Sequence, residues 1–154
     1  MRISRTPSNP HSTAYADHTV WVLTITAVAD FEPLTIAAAV MVVIVAALHV
    51  YFLVLEMFLW RTPFGLRTFR MTKEAADSSA VLAANQGLYN GFLAAGLLWA
   101  LVAYGVEDGW AILTFFLLCV IVAGIYGAAT VSRRILFIQA VPAVIALVLV
   151  WLSR

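Results

Sequence analysis

The chain has 154 residues, 64% hydrophobic and 11% charged, with a mean hydropathy of +0.98, whereas soluble domains hold apolar residues near half and charged ones near a quarter. The expected solvent is a bilayer. A formal net charge of +1, from nine Lys and Arg against eight Asp and Glu, and cations gathered at segment ends leave no basic stripe, which excludes nucleic acid as a partner.

Residues Met1 to Thr19 are polar, carry Pro7 and Pro10, and show no periodicity; they read as a mobile extension. Val20 to Asp30 is apolar but shorter than the ~20 residues of a spanning helix, so it is expected at the interface. Arg2, Arg5 and the small residues Ala27-Val28-Ala29 admit a signal peptide as an alternative, against which the long polar lead-in argues. The extension is taken as 1–33 and the membrane domain as 34–154.

From Leu34 to Trp60 Glu56 is the only formal charge, and at ~1.5 Å per residue this first helix crosses a ~30 Å core with some tilt. The connection RTPFGLRTFRMTKEAADSS holds Pro63 and Gly65 for a turn and Thr72 as an N-cap, with Glu74 and Asp77 favoured by the helix dipole. The second helix spans about 80–104. Gly105 with Glu107-Asp108-Gly109 makes a short hairpin to the third, 110–131. Ser132-Arg133-Arg134 is another tight turn, and the fourth helix, 135–152, contains Pro142, which removes a backbone donor and predicts a bend. The fold class is all-α, an up-and-down bundle of four transmembrane helices without internal repeats. Cys119, the single cysteine, lies in an apolar run; it excludes an intrachain disulfide, a CxxC pair and a thiolate metal site, and reads as a small buried hydrophobe.

Arg61, Arg67, Arg70 and Lys73 lie in the first connection, Arg133 and Arg134 in the third, and no Lys or Arg in the second. The positive-inside rule then places connections one and three in the cytoplasm and both termini outside, in the inner (plasma) membrane. Tyr104, Trp110 and Trp151 fall at one interface and Trp60 at the other. Arg2 and Arg5 dissent, but they lie beyond the range where the rule is strong.

His49 and Glu56, seven apart, share one face of the first helix at two levels. Counted from Trp60 as the border, Glu56 is roughly 6 Å deep and His49 roughly 16 Å. An ionised carboxylate there costs about 2.5 to 3.5 kcal/mol, so Glu56 is expected to be partnered, hydrated or protonated; the bland alternative is a structural or snorkelling carboxylate. A lone histidine on an apolar helix is more often a packing donor than a metal ligand. In the second helix Asn85, Gln86, Tyr89 and Asn90 fill one arc of about 140°, and Gly87, Gly91, Ala94 and Ala95 the opposite one. The glycine face lets another backbone approach closely; the amide face needs partners. Tyr126 and Gln139 fall within roughly two turns of the same border, so the polar side chains are expected to converge in the cytoplasmic half.

The segments HVYFLVLEMFLWRTPFG and VLAANQGLYNGFLAAGLLW, with their His-x6-Glu and Ala-Asn-Gln-Gly-x-Tyr-Asn elements, resemble a family of small four-helix bacterial membrane proteins known as domain of unknown function 1304, distantly similar to the DoxX-like group. The resemblance runs from Leu34 to the C-terminus and implies an integral membrane protein without an established activity. Three functions compete. A binding or transport protein would take a small polar or amphipathic ligand into a cytoplasm-facing pocket lined by His49, Glu56, Asn85, Gln86, Tyr89, Asn90, Tyr126 and Gln139, with Glu56 proton-linked. An accessory subunit would pack Gly87-Gly91 and Gly124-Gly127 on another membrane protein, or on a second copy. A quinone-linked redox role is weakest: there is no ExxH pattern, second intramembrane histidine, or nucleophile beside a base. Membrane lipids are the expected partners and no cofactor or metal is expected.

Overall fold

The computed structural model describes the backbone from residue 10 and the side chains of residues 33–154; the described residues form helices and no strand. The expectations for the extension up to Pro33 lie outside the residues described in full. By packing, the chain divides into residues 1–33 and 34–154, and every contact given below belongs to the second unit. In order come α1 (Pro10–Met57), α2 (Pro63–Phe69), α3 (Lys73–Thr130), a π-helical turn (Leu136–Ala140) and α4 (Val141–Leu152).

The first helix ends at Met57 rather than Trp60. The N–H groups of Phe58 and Leu59 both return to the Val54 carbonyl, at 3.0 and 3.1 Å, and Thr62 is extended, as a residue before proline prefers. Pro63 and Gly65, expected in a simple turn, open α2. The Thr62 hydroxyl accepts from the Gly65 N–H at 3.3 Å, and Pro63 supplies the helical φ where its missing donor is harmless. Gly65 is buried, and a Cβ on it would strike the carbonyl oxygens of Leu59 and Trp60, so α2 is pressed on the backbone that closes α1. Arg70 ends α2 in the left-handed region (φ 53), uncommon without glycine. Thr72 caps α3, its hydroxyl accepting from the Ala75 N–H at 3.3 Å.

Gly105 divides α3 into limbs 73–104 and 106–130. Its φ of 73 and ψ of −169 fall in a region that is essentially glycine's alone. The reversal is therefore tighter than the expected hairpin: Glu107, Asp108 and Gly109 already belong to the second limb. The limbs close on each other where Gly96 faces the Phe116 ring and where a Cβ on Gly109 would lie 3.0 Å from the Ala100 carbonyl oxygen. The second limb then meets the chain's last segment at Gly124, whose Cβ would come within 2.9 Å of the Ala140 N and Cβ, and at Gly127 against Ile135.

Pro142 was expected to bend the last helix. Just before it the chain makes the π-helical turn, closed by the Val141 N–H on the Leu136 carbonyl, a local adjustment that such prolines use. The buried cluster of Ala38, Val42, Val45, Ala46, Leu97, Leu113, Leu117, Val120, Ala146 and Val150 is hydrocarbon throughout. Beside it the Trp151 indole donates to the Thr114 hydroxyl at 2.9 Å, and Arg154 lies over both Trp110 and Trp151, at 4.9 and 4.3 Å from the ring centres.

Two helices of the described residues, α1 from Pro33 and α3, are long and apolar enough to cross a membrane. Their most apolar stretches have mean hydropathies of 2.7 and 2.4.

Candidate functional site

His49 is 1% exposed, and with Ser153 it is one of two buried polar side chains among the described residues. Its Nδ1 lies 2.8 Å from the Val45 carbonyl oxygen. A carbonyl only accepts, so in the neutral ring the proton sits on Nδ1 and the lone pair on Nε2. The Gln139 amide nitrogen stands 3.5 Å from Nε2, a long hydrogen bond in which the amide donates. Gln139 belongs to the π-helical turn, so the adjustment made for Pro142 also places this amide. Phe52 meets the imidazole edge-on at 6.3 Å.

Two turns further along α1, Glu56 is half-buried and accepts from the Asn90 Nδ2 at 2.8 Å. The same amide nitrogen donates to the Gln86 carbonyl at 3.2 Å, which holds it in place. Among the described residues the ion pair is Arg61 with Asp77, 3.9 Å apart and exposed, and no cation pairs with Glu56. The carboxylate and the imidazole are thus each met by one neutral amide, at two levels of one face of α1.

Glycine sets this geometry. A Cβ on Gly87 would lie 2.6 Å from Met57 Cγ, 3.1 Å from the Leu53 carbonyl and 3.2 Å from Glu56 Cβ, and one on Gly91 would lie 2.6 Å from Leu53 Cδ1. The first limb of α3 therefore turns its glycines to α1. On a helix Asn90 stands only about 60° from Gly87, which puts it at the rim of that contact and within reach of Glu56.

Not all of the expected set converges. Asn85, Gln86 and Tyr89 are exposed, because they lie further round the helix from Gly87, and Tyr89 instead meets Phe92 edge-on at 6.2 Å. Tyr126 is 70% exposed and lines a shallow apolar groove of about 550 Å³ with Phe115, Leu118, Cys119, Val122 and Ala123. Cys119, expected to be buried, is only half-buried there. The glycine pairs that an accessory subunit would present to another protein, Gly87-Gly91 and Gly124-Gly127, are covered by this chain's own α1 and by its segment around Ile135 and Ala140. What the sequence reading missed is the pairing itself, His49 with Gln139 and Glu56 with Asn90. No group of three His, Cys, Asp or Glu converges among the described residues.

Both couples fall inside the part of the chain shared with known proteins. An uncharacterized protein, YpaA, of Lactococcus lactis subsp. lactis (strain IL1403) is 31% identical over 117 residues, covering 75% of this chain and 97% of that protein. No solved structure matches. Residues 43–151 match the family described as protein of unknown function DUF1304, and the chain belongs to that family.

Proposed function

We propose that the chain is a multi-pass membrane protein, an up-and-down bundle of four spanning segments that binds or transports a small polar or amphipathic ligand, with Glu56 as the proton-linked group. The membrane reading is supported by burial as well as composition. A core helix of a soluble protein is mostly buried, whereas only 33% of α1's most apolar stretch and 22% of α3's are buried. Large apolar side chains such as Val81, Val102 and Val122 stand 87, 84 and 65% exposed, which water would penalise and lipid tails would not. Each limb of α3 is long enough for one crossing at ~1.5 Å per residue. The cations of connections one and three put those connections in the cytoplasm and both termini outside.

The observation that carries the ligand reading is the Glu56–Asn90 contact. A carboxyl group inside the bundle, met by a neutral amide and no cation, can exchange a proton without dismantling an ion pair, and ionisable groups so placed are typical of substrate and proton paths. His49, with its Nε2 lone pair turned to Gln139, offers an acceptor two turns deeper. A quinone-linked role rests on the distant DoxX-like resemblance alone and is the weaker reading.

The test is native mass spectrometry of protein purified in mild detergent, comparing wild type with Glu56→Gln across pH. The amide keeps the size and much of the hydrogen bonding, so the variant is expected to stay folded and to lose a copurified small molecule, or its pH-dependent release. An unchanged bound mass and unchanged pH response in a folded variant would sink the proton-linked role.

A further inference from the structure

We infer that the elbow between α1 and α3, residues 58–73, is a docking surface for anionic glycerophospholipid headgroups of the leaflet it faces. The inference rests on the membrane reading above but on a different set of residues from the polar couples.

The elbow is built rather than loose. Gly65 seats α2 against the Leu59 and Trp60 carbonyls, the Trp60 indole donates to the Ser79 hydroxyl at 3.1 Å, and the Trp60 and Phe69 rings meet at 4.5 Å, tilted by 49°. On this framework Phe58 and Phe64 stand 66 and 47% exposed. Large aromatic rings beside the end of an apolar helix suit the boundary between acyl chains and headgroups. Arg61, Arg67 and Arg70 lie along the same stretch and Lys73 opens α3, all exposed.

Charge complementarity selects the occupant. Arg61 finds Asp77, loosely, at 3.9 Å, and Arg67 uses its Nε on the Pro63 carbonyl at 3.1 Å, which steadies the guanidinium and leaves its terminal nitrogens for an outside acceptor. Four cations face two acids, Glu74 and Asp77, over this stretch. The reversal at Gly105 is the contrary case, with Glu107 and Asp108 and no nearby Lys or Arg in sequence. A planar guanidinium paired with phosphate is a strong, directional contact, and a basic juxtamembrane cluster gains about 1 kcal/mol per cation at an anionic surface. Phosphate diesters at the depth of the aromatic rings satisfy both features at once.

The experiment uses the full chain in phosphatidylcholine vesicles with and without phosphatidylglycerol, and in matching mixed micelles for native mass spectrometry and thermal unfolding. Wild type is expected to retain phosphatidylglycerol over phosphatidylcholine and to melt higher with it. The preference should fall roughly fivefold per cation removed in Arg67→Gln/Arg70→Gln/Lys73→Gln, weaken with salt, and persist in Arg67→Lys/Arg70→Lys, where charge is kept. An equal preference in the glutamine variant and wild type would overturn the inference, as would equal stabilisation by inorganic phosphate. Alkaline carbonate extraction separates the two claims: release of wild type without detergent overturns the membrane reading, whereas resistance to extraction with no phosphatidylglycerol preference overturns the docking surface alone.

Discussion

Around Val42, Leu113, Leu117 and Val150 the side chains packed together are all hydrocarbon, whereas around His49, Glu56, Asn90 and Gln139 the helices meet through amides, an imidazole and a carboxylate. Both regions use glycine where helices come closest, Gly96 and Gly109 between the limbs of α3 and Gly87 and Gly124 beside the polar couples; the contrast lies in the side chains that fill the rest. Branched packing resists rearrangement because each void forfeits many dispersion contacts. Long or amide-mediated hydrogen bonds are individually weak, even between helices in lipid. Stability is therefore expected to rest more on the hydrocarbon half than on the polar half, whose contacts are the easier to exchange.

Substitutions that exchange the character of the two halves test this division, measured as unfolding in mixed micelles. The largest effect is expected for Gly124→Leu, which drives side-chain atoms into the Ala140 backbone, where nothing flexible can give way; overpacking of this kind costs about 3 kcal/mol. Leu117→Ala opens a void in the hydrocarbon half, where Leu117 is fully buried. On the membrane reading proposed above, unfolded helices stay in apolar surroundings, so packing rather than transfer from water carries the loss, and about 2 kcal/mol is expected, the low end of the usual range. If Leu117→Ala were no more costly than the polar substitutions, the division of roles would fail.

Asn90→Ala removes the donor to Glu56 and should cost about 0.6 kcal/mol, and at most about 1.7, while changing the pH response of small-molecule retention from that of wild type. Gln139→Leu is the smallest: the 3.5 Å contact to His49 contributes little, and a change within about 0.5 kcal/mol is expected. A much larger loss there would mean that Gln139 holds the π-helical turn itself, and would move that turn from the adaptable half to the rigid one.

Much of the helix pattern is legible in the sequence. Thr72 before Lys73-Glu74 is an N-cap signal that the backbone obeys, since a threonine oxygen meets a donor that the first turn leaves unpaired. The connection at Pro63 and Gly65 was harder. The same two residues suit a turn or the first turn of a helix, and only the contact of Gly65 with the Leu59 and Trp60 carbonyls decides for α2. The site was read at half resolution. His49, Glu56, Asn90 and Gln139 were named among eight polar candidates, but Asn85, Gln86, Tyr89 and Tyr126 lie outside the pairs.

The amino-acid sequence alone determined how far each apolar stretch runs, where cations and prolines interrupt it, and which side chains can carry charge or donate hydrogen bonds, because these depend on local composition and on the fixed rise of a helix. It did not determine which way each helix turns. In water an apolar stripe marks the inner face, but here Leu82, Phe92 and Trp99 are exposed, at 63, 57 and 54%, while Ala83, Ala94 and Leu97 are buried on the same limb, so hydrophobicity does not distinguish inside from outside. Tertiary structure decided the facing through closeness of approach: glycines such as Gly87 and Gly124 bring helices together, and Asn90 and Gln139, beside those contacts, reach Glu56 and His49.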